Sequence, residues 1–385
     1  MQERKIIPIS EPNIGEEEVN NVMEAVKSGW ISSKGPFIHE FEEKFAKFIG
    51  TNYGVSTSNG TTALHLALTA LGIGKGDNVI VPDFTFISPI NAVLYNGGTP
   101  RLIDADRSSW NIDPSKIEEK IDNKTKAIIV VHVYGHPANM DPIMKIADEH
   151  DIFVIEDCAE AHGALYKERK VGTFGDISCF SFYANKIITT GEGGICLTNQ
   201  QQVAEKMEML RDHGMKPENR YWHEEVGYNY RMTNLQAAIG VAQINKIDKL
   251  VEKRRELASC YNKYLKDISK ITVPPEEPWA KSVFWLYSIL INDVENNVNR
   301  DYVSKRLLQE GFDNRRFFYP VHIMPPYREY AETGDFPVSD MLSRMGMNLP
   351  SSMNVDEEII RAISEMLRDI LGEKRHCQLP VDKYR

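Results

Sequence analysis

No run in this chain approaches eighteen consecutive apolar residues, so no membrane-spanning helix is expected. The opening segment MQERKIIPIS lacks the apolar stretch of a secretory signal. Cysteine is scarce: five residues (158, 179, 196, 260 and 377), widely spaced and without a CxxC pair. Three of them fall in apolar, strand-like runs, where a reduced and buried thiol is expected. A cytoplasmic chain without disulfides follows, and the sequons at Asn59 and Asn123 then read as chance matches. Positive charge is also in deficit. With 45 basic against 55 acidic residues and a net charge of −10, a nucleic-acid surface is not expected. The run Lys253-Arg254-Arg255 is flanked by acids and reads as a solvated helix face. No GxxxxGK[ST] loop is present, GIGKGD (72–77) has the wrong glycine spacing for a dinucleotide fingerprint, and HEEVG (223–227) lacks a second histidine. ATP, NAD and zinc are therefore poorly supported, and no metal is expected. No internal repeat or low-complexity segment is seen.

What is present is a two-part α/β pattern, in a chain of 385 residues that is long for one core and short for three domains. Between residues 50 and 200, β-branched runs at 79–86, 100–106, 126–135 and 152–158 alternate with helical stretches. The helices at 61–72, closing on Gly72, and 141–151, opening on Asp-Pro, carry their own stop and start signals. Strands that are apolar throughout, separated by helices, predict a mostly parallel sheet covered on both faces. Beyond residue 230 come one or two long helices (233–267), a strand at 283–292, a helix at 302–311, a strand at 315–320 and an amphipathic helix at 354–373. This organisation predicts an N-terminal segment (1–25) packed on a small domain, a large domain (26–240) and a smaller C-terminal α/β domain (241–385). The tail 375–385 is polar and expected to fray.

Chemistry concentrates at three strand-to-helix junctions. SNGTTALH (58–65) sets Asn, Gly60, Thr61 and Thr62 at a helix start, suited either to an anion or to an ordinary N-cap. IEDCAEAHG (155–163) ends an apolar strand with Glu156, Asp157 and Glu160, where parallel sheets bind ligands and where Asp also caps helices. SFYANKIITTGEGG (181–194) carries one lysine, Lys186, after an aromatic strand and before glycines that would leave room beside its amine. A lysine there is either a surface charge or a buried nucleophile. Lysine, Asp and an anion-holding helix start, with FTF (84–86) as an aromatic face, form the set a pyridoxal 5′-phosphate (PLP) site requires.

The same segments resemble the DegT/DnrJ/EryC1/StrS sugar aminotransferases. The resemblance runs through SGWISSKGPFIHEFE (28–42), NGTTALHLAL (59–68), VPDFTFI (81–87), HVYGHPANMDPI (132–143), IEDCAEAHGA (155–164), VGYNYRMTNLQAAIG (226–240) and HIMPPY (322–327), in that order. It implies the α/β aspartate aminotransferase-like fold (fold type I), with a mostly parallel seven-stranded sheet in the large domain. It implies that Lys186 carries the cofactor and shuttles its proton, and that Asp157 pairs with the pyridine nitrogen. Glu160 stands where many members have Gln against the ring hydroxyl. Phe86 would stack on the ring, and Gly60, Thr61, Thr62 and Ser181 would hold its phosphate. Asn229 would reach that phosphate from the neighbouring subunit of a homodimer with shared sites. The implied reaction moves the amino group of L-glutamate to C4 of a nucleotide-linked 4-keto-6-deoxy sugar. Resemblance within the family along TGEGG, RYWHEEVGYNYRMTN (220–234), VFWLYSI (283–289) and HIMPPY implies GDP-4-keto-6-deoxy-D-mannose as the sugar, with dTDP- or UDP-linked sugars as alternatives. A non-catalytic binding protein of the same fold is the alternative from another class. Substrate contacts are expected at Arg315, Trp30 and His322. Two departures, Arg316 and His162, are expected to bear on sugar or nucleotide preference.

Overall fold

The computed structural model describes residues 6–216, 218–292, 298–331 and 335–373. The tail 375–385 lies outside them. Among the described residues fourteen strands appear in chain order, beginning with β1 Tyr53–Thr57, β2 Asn78–Pro82, β3 Thr99–Ile103, β4 Thr125–Val131, β5 Phe153–Asp157, β6 Leu165–Tyr166 and β7 Arg169–Lys170. They continue with β8 Ile177–Ser181, β9 Gly194–Thr198, β10 Ile271–Thr272, β11 Ala280–Lys281, β12 Tyr287–Ile291, β13 Arg315–Arg316 and β14 Gly346–Leu349. The helices are α1 Glu16–Ser28, α2 Pro36–Ile49, α3 Gly60–Ala70, α4 Ser88–Tyr95, α5 Met140–His150 and α6 Gln201–Arg211. After them come α7 Asn234–Asn245, α8 Ile247–Leu265, α9 Arg300–Gln309, α10 Pro337–Met345 and α11 Glu357–Leu371.

Seven strands form the main sheet in the order β1-β9-β8-β5-β4-β2-β3. Only β9 runs against the others, pairing antiparallel with both β1 and β8. The expected mostly parallel sheet is therefore present. Its continuous apolar runs are explained by burial on both faces: Ile128 and Val130 of β4 enter one core, and Ala127 and Ile129 enter the other. Helices α2 and α7 cover the first face, and they approach closely because Gly240 has no side chain. A Cβ there would lie 2.7 Å from the Phe41 ring. Helices α3, α4 and α6 cover the second face. A four-stranded sheet, β10-β12-β14-β13, carries its own core with α8, α9 and α11.

Several elements are shorter than their apolar runs suggest. The strand at 79–86 stops at Pro82, leaving Phe84–Phe86 as a loop, and the strand at 315–320 has only two paired residues before Pro320. The run 233–267 is two helices, α7 and α8. Arg254 is not on a solvated face: it is buried and donates to the Trp285 carbonyl. The N-terminal segment divides. Ile9 and Glu11 bond Asp313 and Ser352 beside the second sheet, whereas α1 packs on α7. Among the described residues no helix is long and apolar enough to cross a membrane.

Candidate active site

At the C-terminal ends of β5 and β8, Asp157 lies opposite Cys179 in parallel register. Helix α3 starts against the same edge. Its first residue, Gly60, permits this, since a Cβ there would lie 2.8 Å from the Cβ of Ser181. These elements border a cavity of about 660 Å³ whose lining includes Gly60, Thr61, Asp157, Glu160, Ser181 and Lys186.

Lys186 follows β8 in a turn closed by its own N–H donating to the Tyr183 carbonyl (2.9 Å). Its Nζ lies 3.8 Å from Glu160 Oε1 and 3.8 Å from the centre of the Trp285 ring. The side chain is 11% exposed. Burial lowers the lysine pKa and Arg315 acts in the same direction, while Glu160 and Asp157 oppose them. The lysine is thus a buried amine, not a surface charge.

Two of the glycines after it, Gly193 and Gly194, face neighbouring atoms rather than open space. A Cβ on Gly193 would meet Thr190 Oγ1 at 2.2 Å, and one on Gly194 would meet the Asn59 carbonyl oxygen at 2.4 Å. The smallness of Gly194 lets β9 pass close beneath the start of α3, and that of Gly193 makes room for the Thr190 and Met232 side chains.

Asp157 is buried, and its Oδ1 accepts from the Ala159 N–H (3.0 Å), the only donor to its carboxylate among the described residues. Burial raises its pKa, against the pull of that bond, Lys186 and His132. One residue earlier, Glu156 is saturated. It accepts from the N–H groups of Gly172 (2.7 Å), Phe174 (2.7 Å) and Gly175 (2.8 Å). His132 Nδ1 accepts from Ala138 N–H (3.0 Å), so its Nε2 carries the proton donated to Glu156 (3.2 Å). This network anchors the end of β5 and so aims Asp157. Sequence reading missed it, although the unbroken apolar strand ending in two acids was its signal.

Glu160 Oε2 accepts from Tyr134 N–H (2.7 Å), and burial lifts its pKa from 4.5 to about 7, with Lys186 and the Tyr134 bond resisting. Between those values the folded chain holds a proton that the unfolded chain lacks. This group's contribution to stability therefore falls as pH rises from 4.5 to 7. Glu160→Gln in the cofactor-free protein should match wild type near pH 4. It should then gain relative stability up to a plateau on the order of 3 kcal/mol above pH 7. Urea unfolding midpoints across pH 4–8 test this, and a pH-independent difference would refute it.

At α3, Asn59 caps the helix: its Oδ1 accepts from Thr62 N–H (2.9 Å), and Thr62 Oγ1 donates to the Asn59 carbonyl (2.7 Å). Thr62 lines the cavity, but both of its donors are occupied by the cap, so the two readings of SNGTTALH hold together. Thr61 Oγ1 pairs with Ser88 Oγ (2.7 Å), and Ser181 Oγ accepts from Tyr183 N–H (3.4 Å). His162 is fully buried among Phe45, Phe180 and Phe182, and its Nε2 donates to the Ser181 carbonyl (2.8 Å). Burial, then Lys186, push its pKa to about 3. His162 does not line the cavity and so holds Ser181 in place; it is not positioned to touch a substrate.

Phe86 and Arg315 line the cavity as expected, joined by Trp285 and Phe318, which sequence reading had not singled out as site residues. Trp30 and His322, expected as substrate contacts, do not line it, and neither does Asn229, which is expected to act in the neighbouring subunit's site. Trp30 is half exposed, its carbonyl accepting from Asn234 (2.7 Å). His322 is held by Asp83, Nδ1 to Oδ2 2.8 Å, and stacks on Phe336. Asn229 is exposed and accepts from Arg231 (2.9 Å). Arg316 points to the opposite face of β13 from Arg315, because successive strand residues alternate.

A buried amine, a buried carboxylate with a free oxygen, and a helix start with hydroxyls around one cavity fit a phosphorylated, cationic aromatic ring. The chain matches the DegT/DnrJ/EryC1/StrS aminotransferase family over residues 12–368. It is 43% identical to the GDP-perosamine synthase of Escherichia coli O157:H7, over 96% of this chain and all of that one. It is also 43% identical to the GDP-perosamine synthase of Caulobacter vibrioides, over 95% and 98% respectively. Among solved structures it resembles the putative sugar aminotransferase Spr1654 from Streptococcus pneumoniae in its PLP form. There the TM-score is 0.89 at 25% identity, covering 95% of this chain and 99% of that one.

Proposed function

Because the chain belongs to the DegT/DnrJ/EryC1/StrS aminotransferase family, we propose that it aminates C4 of GDP-4-keto-6-deoxy-D-mannose with L-glutamate, giving GDP-perosamine and 2-oxoglutarate. The enzyme is a PLP-dependent sugar aminotransferase. The observation that carries the sugar is the 43% identity to a GDP-perosamine synthase along both chains' length. Amination assays with glutamate and a panel of GDP-, dTDP- and UDP-linked keto sugars test it. Preference for a dTDP or UDP sugar would refute the GDP assignment while leaving the chemistry intact.

When bound, PLP supplies the electron sink that lets an amino group leave one carbon and join another. Asp157 would keep a proton on the ring nitrogen, aimed there by the Glu156–His132 network. The Thr61, Ser88 and Ser181 hydroxyls, with the positive end of α3, would hold the phosphate. Phe86 would cover the ring. Lys186 Nζ would be the point of attachment, and then the base that takes a proton from the amino-bearing carbon and returns it. Trp285 over Nζ shields that proton from water on one side.

Arg315 would meet the negative charge of the sugar nucleotide in the Lys186 cavity, whereas Arg316, on the other face of β13, lies outside that cavity. Arg315→Gln should raise KM for the sugar nucleotide about tenfold while leaving KM for glutamate near wild type. Arg316→Gln should alter neither. Equal effects of Arg315→Gln on both substrates would remove it from this role.

Asn229 would act across a homodimer, reaching the phosphate in the partner's site; its exposure off its own chain's cavity supports this. Lys186→Ala and Asn229→Ala homodimers should each be inactive. After subunit exchange, each heterodimer has one pocket with both lesions and one with neither, so about a quarter of wild-type activity should return. If mixing restores nothing, Asn229 serves its own subunit.

A further inference from the structure

On the face of β13 turned away from Lys186, three arginines border an open cavity of about 420 Å³. Arg316 comes from the strand, Arg300 is the first residue of α9, and Arg344 lies in the last turn of α10. Arg300 is 4% exposed. Among the described residues, its Nη1 and the Nε of Arg316 are buried without a hydrogen-bond partner. Arg300 has two other contacts, one of them an ion pair with Asp301. Nη2 is 3.4 Å from the Ser343 carbonyl, and Nε is 3.0 Å from an Asp301 carboxylate that is 75% exposed, at an angle that makes no hydrogen bond. Arg316 has its guanidinium 3.4 Å over the Tyr319 ring. The acids at this cavity are Asp301 and Asp340, and Asp340 is drawn toward His322 Nε2 at 3.5 Å.

Adjacent guanidiniums with orphaned buried donors are costly unless an anion meets them. Burial lowers the pKa of both, and in Arg316 the neighbouring Arg300 adds to the effect, while the exposed Asp301 opposes it in each. A chain of net charge −10 has no shortage of carboxylates, yet among the described residues none is buried here. The N-terminus of α9, ten residues long, adds positive potential at the same place. A tetrahedral phosphate can accept from several guanidiniums and a helix start at once, which a planar carboxylate does less well.

We propose that Arg300, Arg316 and Arg344 form a second anion site, separate from the Lys186 cavity, that binds a phosphate group. The test is calorimetric titration of the PLP-loaded enzyme with inorganic phosphate at constant ionic strength. Saturable binding is expected, weakened about tenfold or more by Arg316→Gln and by Arg344→Gln, the latter at an exposed position where folding is not at stake. Arg315→Gln, which alters the other cavity, should change it less than about twofold. Absence of saturable binding, or wild-type affinity in both the Arg316 and Arg344 variants, overturns the proposal. Repeating the titration with GDP identifies the source. Tighter binding that Arg316→Gln weakens and Arg315→Gln does not assigns the site to a nucleotide's phosphates, and equal affinity in that Arg316-dependent phase assigns it to free phosphate.

Discussion

Lys186→Ala should yield a folded protein whose kcat is at least about 10⁴-fold below wild type, roughly 5 kcal/mol of barrier. The fold should survive because this side chain contributes little to packing: its ammonium touches Glu160 and the Trp285 face. Removing a buried cation also relieves a desolvation cost. What is lost is chemical. Among the described residues no other lysine lines the cavity, so none there offers a second amine to bind the cofactor covalently or move the proton. Borohydride reduction followed by peptide mass analysis should find the cofactor on the Lys186 peptide of wild type and nowhere in the variant. PLP held only through its phosphate and ring should dialyse away faster. A variant that retains a tenth of wild-type turnover would disprove the assignment.

Asp157→Asn should lower kcat at least about 100-fold, roughly 2.7 kcal/mol, with almost no change of shape. The amide oxygen can still accept from Ala159 N–H, so the end of β5 should stay in place. An amide cannot stabilise a proton on the ring nitrogen, however, and the electron sink weakens. The glutamate half-reaction, followed by the cofactor's absorbance, isolates this step from sugar binding. A loss of less than about tenfold there would remove Asp157 from the role.

Further from the chemistry, the resemblance carried more than local pattern did. Lys186, Asp157 and the start of α3 were legible because each sits at a strand end or a helix start, positions that apolar runs and capping residues mark in the chain. Thr62 shows the limit of that reading. Its residue type suits a phosphate, but only the hydrogen bonds reveal that Asn59 already uses both of its donors. Glycines at 191–194 suggest space for a ligand, whereas Gly194 serves close backbone packing against Asn59 and Gly193 makes room for the Thr190 and Met232 side chains, which depends on what lies opposite.

By itself, then, the sequence determined the alternation of strands and helices, the burial of the main sheet on both faces and the residue types at its edge. These follow from periodicity and capping, which are local. Tertiary structure alone decided that β8 lies beside β5, bringing Lys186 to Asp157 and Glu160, and that Trp285 covers the amine. It also decided that Trp30 and His322 stand away from the cavity and that Arg300 meets Arg316. Strand order and cross-element contacts are set by how separate apolar faces are buried together, and no local spacing encodes that.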